Sequence, residues 1–232
     1  MKRLHPNARR LIAQTWQSQA NLSVFLILLV VSVFILPLLS DRLKNIGFYT
    51  DLVLTLMMSA GVAIAWGRRW LFAGGLAAIL PTFFFRWLAY FVPSPSIILW
   101  AEACTLLAIL MLGYLLLAQV FREGPINAMR VQGAVAAYLL LGVAYGHAYK
   151  ISAYFNPTAI TSTEGPMTSS VDWIYFSFST LSTLGYGDIL PTSHASRMLA
   201  IGEALSGQLF LAILIARLVA MSITGGAEKD SR

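Results

Sequence analysis

The stretch Thr180-Leu181-Ser182-Thr183-Leu184-Gly185-Tyr186-Gly187-Asp188 decides how the rest of the chain reads. It closes an apolar run, residues 173–182, bounded by Asp172 on one side and by the glycines at 185 and 187 on the other. About ten helical residues cover only ~15 Å, half the hydrocarbon thickness of a bilayer. Gly185 and Gly187 alternate with larger residues, and glycine takes φ > 0 without penalty. Alternating the sign of φ turns successive carbonyls to one side, which regular strand geometry forbids. The expected product is a half-helix ending near Ser182, its negative dipole end at mid-membrane depth. Extended chain follows, with a column of carbonyl oxygens from Thr183, Leu184, Gly185 and Tyr186 and the Thr183 hydroxyl beneath. Such a column replaces the water shell of a cation. One chain supplies one side of the cage, and four around a fourfold axis would close it.

Irregular backbone survives at membrane depth only inside protein or against water, so the surrounding sequence must be a membrane protein. Its composition agrees. Of 232 residues, 58% are hydrophobic and 11% charged, against roughly 25% charged in an average soluble domain. Those values, with a mean hydropathy of +0.72, exclude disorder, a coiled coil and an ordinary soluble enzyme. The net charge of +6 reflects orientation rather than nucleic-acid binding. The single cysteine, Cys104, excludes an intrachain disulfide and a thiolate metal cage, and no disulfide partner is expected.

Charged residues punctuate six apolar stretches, at 22–39, 52–67, 70–85, 97–121, 131–149 and 198–216. The second and third are short, about 24 Å as helix, and their flanking arginines can snorkel. The expected fold is an all-α membrane protein of six spanning helices, with a re-entrant helix and filter between the fifth and sixth. With the N-terminus inside, eleven Lys/Arg fall on the cytoplasmic side and five outside, which places both termini in the cytoplasm. The corresponding domains are a basic cytoplasmic segment at 1–21, a four-helix domain at 22–121, a cytoplasmic linker at 122–132, a pore domain at 133–222 and a short tail at 223–232. The first span is too long, and lacks the small-x-small site, for a cleaved signal peptide. Leu4, Ala8, Leu11, Ile12, Thr15 and Trp16 fall at helical spacing before it, as an interfacial helix or a frayed leader.

At Thr183–Asp188 the chain resembles the selectivity-filter signature of potassium channels, with Leu184 where Val or Ile is commoner. The six-span layout is similar to that of the tetrameric potassium channel superfamily. The likeness is strong over about 170–222 and one of layout only before that. It implies a homotetramer in a plasma (bacterial inner) membrane, conducting K⁺ passively, with no cofactor beyond the permeant ion. It implies K⁺ coordination by Thr183, Leu184, Gly185 and Tyr186, and an outer mouth at Gly187 and Asp188. Filter support would come from Tyr175, which stands where an aromatic usually bonds the filter aspartate, and from Phe176, Ser179 and Glu203. Gly207 stands at the usual gating hinge, and Arg197 at the outer end of the last span. Between Arg86 and Arg122 there is no Lys or Arg. The fourth span therefore lacks the charges of a voltage sensor, and steep voltage gating is not expected.

Two other readings compete. One is a weakly selective monovalent cation channel of the same fold. The other is an intramembrane aspartyl protease, because Gly185-Tyr186-Gly187-Asp188 formally matches a Gly-x-Gly-Asp motif. That chemistry needs a second intramembrane aspartate, and Asp41, Asp51, Asp172 and Asp230 all read as flanking the spans. Among the remaining polar residues, Glu203 is expected behind the half-helix against Ser179 or Thr180, and Glu102 against Arg86 or another cation. Arg217 is expected to snorkel to headgroups, His147 to be a satisfied core histidine, and His194 to be exposed.

Overall fold

In a computed structural model, residues 20–40, 42–43, 45–64, 69–121, 128–163, 165–167 and 169–230 are described. The basic segment at 1–19 and linker residues 122–127 lie outside them. The chain is built from helices α1 (Ala20–Leu38), α2 (Ile46–Ile64), α3 (Arg69–Phe91), α4 (Pro95–Val120), α5 (Ala128–Phe155), α6 (Ser170–Leu181) and α7 (His194–Asp230). Two short strands, β1 (Ile160–Ser162) and β2 (Ile189–Pro191), pair antiparallel, with Ser162 opposite Ile189. Among the described residues five helices are long and apolar enough to cross a membrane, and Ile46–Val62 is a shorter apolar one. The protein is a multi-pass membrane protein of all-α character.

Local chemistry explains several boundaries. Pro37 lacks the N–H that would close a normal turn near the end of α1. The helix answers with a π turn over Val31–Ile35, in which the Leu36 N–H reaches the Val31 carbonyl. Pro95 opens α4 at a position whose N–H needs no partner. At the start of α6, the Ser169 hydroxyl accepts from the Val171 N–H, and the Asp172 carboxylate accepts from the Ser169 N–H at 3.1 Å. This capping box is worth about 1 kcal/mol in a typical helix.

The core is a seam of helical stripes. Leu22, Phe25, Leu29 and Val33 of α1 meet Leu54, Met57 and Met58 of α2 and Ala108, Ile109, Leu112 and Leu116 of α4. The other side of the seam is Ala136, Ala137, Leu140, Val143 and Ala144 of α5. The alanines at 136, 137 and 144 let α5 pack closely against its neighbours. A second cluster, Tyr149 of α5, Ala159 just before β1, Ile160 and Ile189 of the β-ladder and Phe176 of α6, joins the ladder to these two helices. Large apolar residues such as Leu80, Phe84, Leu107, Leu110 and Tyr114 remain exposed, as a lipid-facing surface requires.

Two charges used as span boundaries sit inside helices. Arg86 does not snorkel at the end of the third span; α3 continues to Phe91, and Arg86 is 8% exposed. Asp51 does not flank the second span but lies within α2. The physical reason is mutual pairing: the Arg86 guanidinium bonds the Asp51 carboxylate and, at 2.9 Å, the Thr105 hydroxyl. The Tyr90 hydroxyl donates to the other Asp51 oxygen at 2.8 Å. A paired charge tolerates an interior that an isolated one does not.

Candidate functional site

α6 ends at Leu181, and the chain turns at once into the Thr183–Asp188 segment. Backbone φ is +59° at Thr183, +56° at Gly185 and +81° at Gly187. The sign therefore alternates over the segment, and it does so at Thr183, a β-branched residue for which φ > 0 is costly. Hydrogen bonds hold the base of the segment in place. The Ser179 carbonyl accepts from the N–H of Leu184 at 2.8 Å and of Gly185 at 3.1 Å, and the Thr180 carbonyl accepts from Thr183 at 3.0 Å. These use helix-end carbonyls that have no intrahelical partner. Ser179 thus meets the loop through its carbonyl, while its hydroxyl bonds the Phe176 carbonyl.

The upper end is tied by the β-ladder. The Asp188 carbonyl accepts from the Thr163 N–H at 2.9 Å, and the Ala159 carbonyl accepts from the Thr192 N–H at 2.8 Å and the Ser196 hydroxyl at 2.6 Å. Arg197 Nε donates to the Pro191 carbonyl at 3.2 Å, and His194 is exposed at the start of α7. Leu184 and Tyr186 are exposed in the single chain. The Tyr186 ring stacks on that of Tyr175, 6.5 Å between centroids and 8° between planes. Phe176 is buried against Tyr149. Three-residue strands carry no periodic signal, so this ladder was invisible to sequence reasoning.

Behind α6, Glu203 is fully buried. It does not meet Ser179 or Thr180; both hydroxyls bond the Phe176 carbonyl within their own helix. Its partners are the Tyr149 hydroxyl, at 2.6 Å, and the Ser177 hydroxyl. Ser177 lies about 200° around the helix from Ser179, on the face turned to α7. The Ser177 hydroxyl also lies 2.6 Å from the Gly142 carbonyl of α5. One carboxylate thereby ties α5, α6 and α7 together.

Gly207 follows one turn later on the same face. A Cβ built there would lie 2.5 Å from the Leu181 carbonyl oxygen and 2.9 Å from Leu181 Cδ1. Close helix contact gives a reason for glycine independent of any hinge. Ala at this position gains about 1 kcal/mol of helix propensity but meets backbone, and overpacking costs about 1–3 kcal/mol. Gly207→Ala is expected to lower the thermal stability of the purified protein by several degrees. A rise in melting temperature would show that the contact relaxes freely.

Farther along α7, Arg217, expected to reach headgroups, is bound to the end of α4. Its Nη2 donates to the Phe121 carbonyl, and its guanidinium lies 4.8 Å above the Phe121 ring. Phe121 caps α4, whose last carbonyls lack helical partners and attract a cation. Glu102 does meet Arg86, at 3.7 Å, but also His147 and, at 3.4 Å, Lys150. His147 is accordingly a buried, bonded histidine. Asp51, bound by Arg86 and Tyr90, is not available as a second protease aspartate. Among the described residues no group of His, Cys, Asp and Glu could hold a metal ion.

Residues 134–223 match a family model described as ion channel. The chain is 37% identical over 83 residues to two pore potassium channel c of Oryza sativa subsp. japonica, covering 36% of this chain and 17% of that protein. It is 37% identical over 91 residues to the voltage-gated potassium channel Kch of Escherichia coli (strain K12), covering 39% and 20%. To two-pore potassium channel 1 of Arabidopsis thaliana it is 45% identical over 47 residues, covering 20% and 13%. The matched part thus spans a fifth or less of each curated relative's length. No solved structure matches. The resemblance is to pore-loop potassium channels, which are not enzymes, and it falls on the part of the chain that carries α5, the Thr183–Asp188 segment and α7.

Proposed function

We propose that this chain, as a member of the pore-loop potassium channels, forms a homotetrameric K⁺ channel in which four copies of Thr183–Tyr186 line the ion path. The carrying observation is the alternation of φ at residues 183, 185 and 187, with the loop base held on the Ser179 carbonyl. Positive φ at alternate residues is what a one-sided row of carbonyl oxygens requires, and such a row takes a dehydrated monovalent cation as its substrate. Thr183, Leu184, Gly185 and Tyr186 coordinate K⁺ in this reading, Gly187 and Asp188 form the mouth, and Tyr175, Phe176, Ser179 and Glu203 support the loop. α6 enters the membrane and returns, and α1–α5 and α7 make six spans with both termini in the cytoplasm. The divisions at 22–121 and 133–222 separate a sensor-like bundle from the pore, and bending at Gly207 would open it. A stripe of exposed Ile201, Leu205, Leu209 and Ile213 runs along α7 at four-residue spacing, and neighbouring copies would cover it.

The deciding measurement is the reversal potential of purified protein in bilayers under a K⁺/Na⁺ gradient. A value near the K⁺ equilibrium potential supports the proposal. One specific observation favours the weakly selective alternative: Phe176 has no hydrogen-bond donor to brace Tyr186 and packs on Tyr149 instead. A reversal potential near zero would choose that reading.

Voltage is a separate matter. Each charge crossing the field yields about 2.3 kcal/mol per 100 mV. The only charge on α4 is Glu102, which is held by cations of α3 and α5, and Arg86 is locked to Asp51. Open probability in symmetric K⁺ is therefore expected to vary shallowly with voltage. A steep curve, equivalent to several charges per tetramer, would defeat this expectation.

A further inference from the structure

The polar groups between α2 and α6 make one connected path that ion conduction does not use. Asp51 binds Arg86; Arg86 approaches Glu102 at 3.7 Å; Glu102 binds His147 Nδ1 through one oxygen and Lys150 Nζ at 3.4 Å through the other. Lys150 Nζ also donates to the Ser170 hydroxyl at 3.0 Å, on the first residue of α6. His147 and Lys150 lie three residues apart and so share a face of α5. We propose that His147, Glu102 and Lys150 form a proton-binding site through which acid pH releases the start of α6. It rests on the channel reading above for its consequence on current, though not for the proton site itself.

The charges facing His147 can be counted by helix. α1 offers only Ser32, Leu36 and Pro37 to the small space beside it. α2 contributes Asp51, α3 Arg86 and the Tyr90 hydroxyl, α4 Glu102 and the Thr105 hydroxyl, and α5 Lys150. α6 brings the Ser170 hydroxyl, its Asp172 being engaged on the Ser169 N–H. On α7 the buried Glu203 faces Tyr149 and Ser177 instead. With a neutral imidazole, two carboxylates balance two fixed cations. Imidazole is the one side chain here whose ordinary titration falls between about pH 5 and 8. A proton taken at Nε2 leaves the buried cluster with one positive charge too many, and burial makes such a surplus costly.

The cation best placed to leave is Lys150. Arg86 is held by both Asp51 and Thr105, whereas Lys150 meets Glu102 only at 3.4 Å and carries a flexible stem. It also lines a cavity of about 310 Å³ that Glu102 and Ser170 share with Ile98, Leu99, Tyr154 and Trp173, so its ammonium has room to swing away from Glu102 and Ser170. Its departure frees the Ser170 hydroxyl. The far end of the same twelve-residue helix carries the Ser179 carbonyl that holds Leu184 and Gly185. A tilt allowed at one end of a short rigid helix therefore reaches the loop at the other.

The experiment is open probability of the full chain in K⁺ bilayers as the pH on the loop side is stepped from 8 to 5. A change of at least several-fold is expected in the unmodified protein and in His194→Gln, and none in His147→Gln. Lys150→Met should be fixed near the acid level. A response that survives His147→Gln, or a conducting unmodified protein whose open probability stays flat, overturns the proposal. Trp173 emission, taken as the difference between the unmodified chain and Trp173→Phe, reads the cavity without any current. It should shift over the same pH range and stay constant in Lys150→Met. Such a shift in a protein that passes no K⁺ would sustain the proton site and sink the channel reading. Emission that ignores pH would sink the proton site whatever the currents.

Discussion

Gly185→Ala is expected to abolish K⁺ current or to let Na⁺ through, while leaving assembled protein in the membrane. Gly185 sits at φ +56°, and a Cβ there would meet nothing within 4 Å, so the cost is conformational and not a clash. An L-residue in the left-handed region costs about 1–2 kcal/mol. In the proposed tetramer, four copies around one axis would raise that to about 4–8 kcal/mol. Thr183 already holds φ +59° two residues away, which leaves little slack for a second strained residue. The cheapest relief is to turn the peptide, and that removes a carbonyl from the row. Fold and assembly should persist, because α6 and the ladder are held by other bonds. Reversal potentials identical to those of the unmodified protein would remove Thr183–Tyr186 from the ion path.

The second large effect is on stability. Arg86→Met leaves the partly buried Asp51 carboxylate with the Tyr90 hydroxyl but no cation, and takes one cation from Glu102. Breaking a buried pair from one side costs about 3–5 kcal/mol, because the remaining charge is stranded. The melting temperature in detergent should fall sharply. Removing both charges, in Arg86→Met with Asp51→Asn, should recover much of the loss, since neutral replacements of a buried pair are often tolerated. A double-mutant cycle measures this coupling directly. If the single variant melts with the unmodified protein, Arg86 and Asp51 do not depend on each other.

These two regions were not equally visible beforehand. The loop could be read from sequence because its conformation is written in residue type: glycine at 185 and 187 marks where φ turns positive. Thr183 carries no such mark, and its positive φ is imposed by the Ser179 and Thr180 carbonyls that bind the loop base. The Arg86–Asp51 pair was hidden for a different reason. Charges serve as punctuation when spans are counted along one dimension, and two that meet across helices look like two boundaries. The spacing of Arg86 and Tyr90, and of His147 and Lys150, is the one local hint, since each pair falls on one helix face. Glu203 shows a third kind of gap. Its burial behind α6 was legible, but its partner depended on register. Gly207 against Leu181 and Glu203 against Ser177 share one offset, 26 residues, so α6 and α7 descend in parallel. Counting from the glycine contact would have selected Ser177.

The loop is pinned at both ends, by the Thr180 carbonyl below and by the pairing of Ser162 with Ile189 above. Between those pins, alternate residues must keep alternate signs of φ. The number of residues then matters as much as their identity, for a reason that resembles the phase of a wave on a string fixed at both ends. A conservative exchange within the segment leaves the phase intact. One residue inserted or lost puts every later peptide half a period out, and no side chain placed nearby can restore it. A substitution within this stretch can therefore keep the row of carbonyls, whereas a change of length has to be taken up outside the two pins.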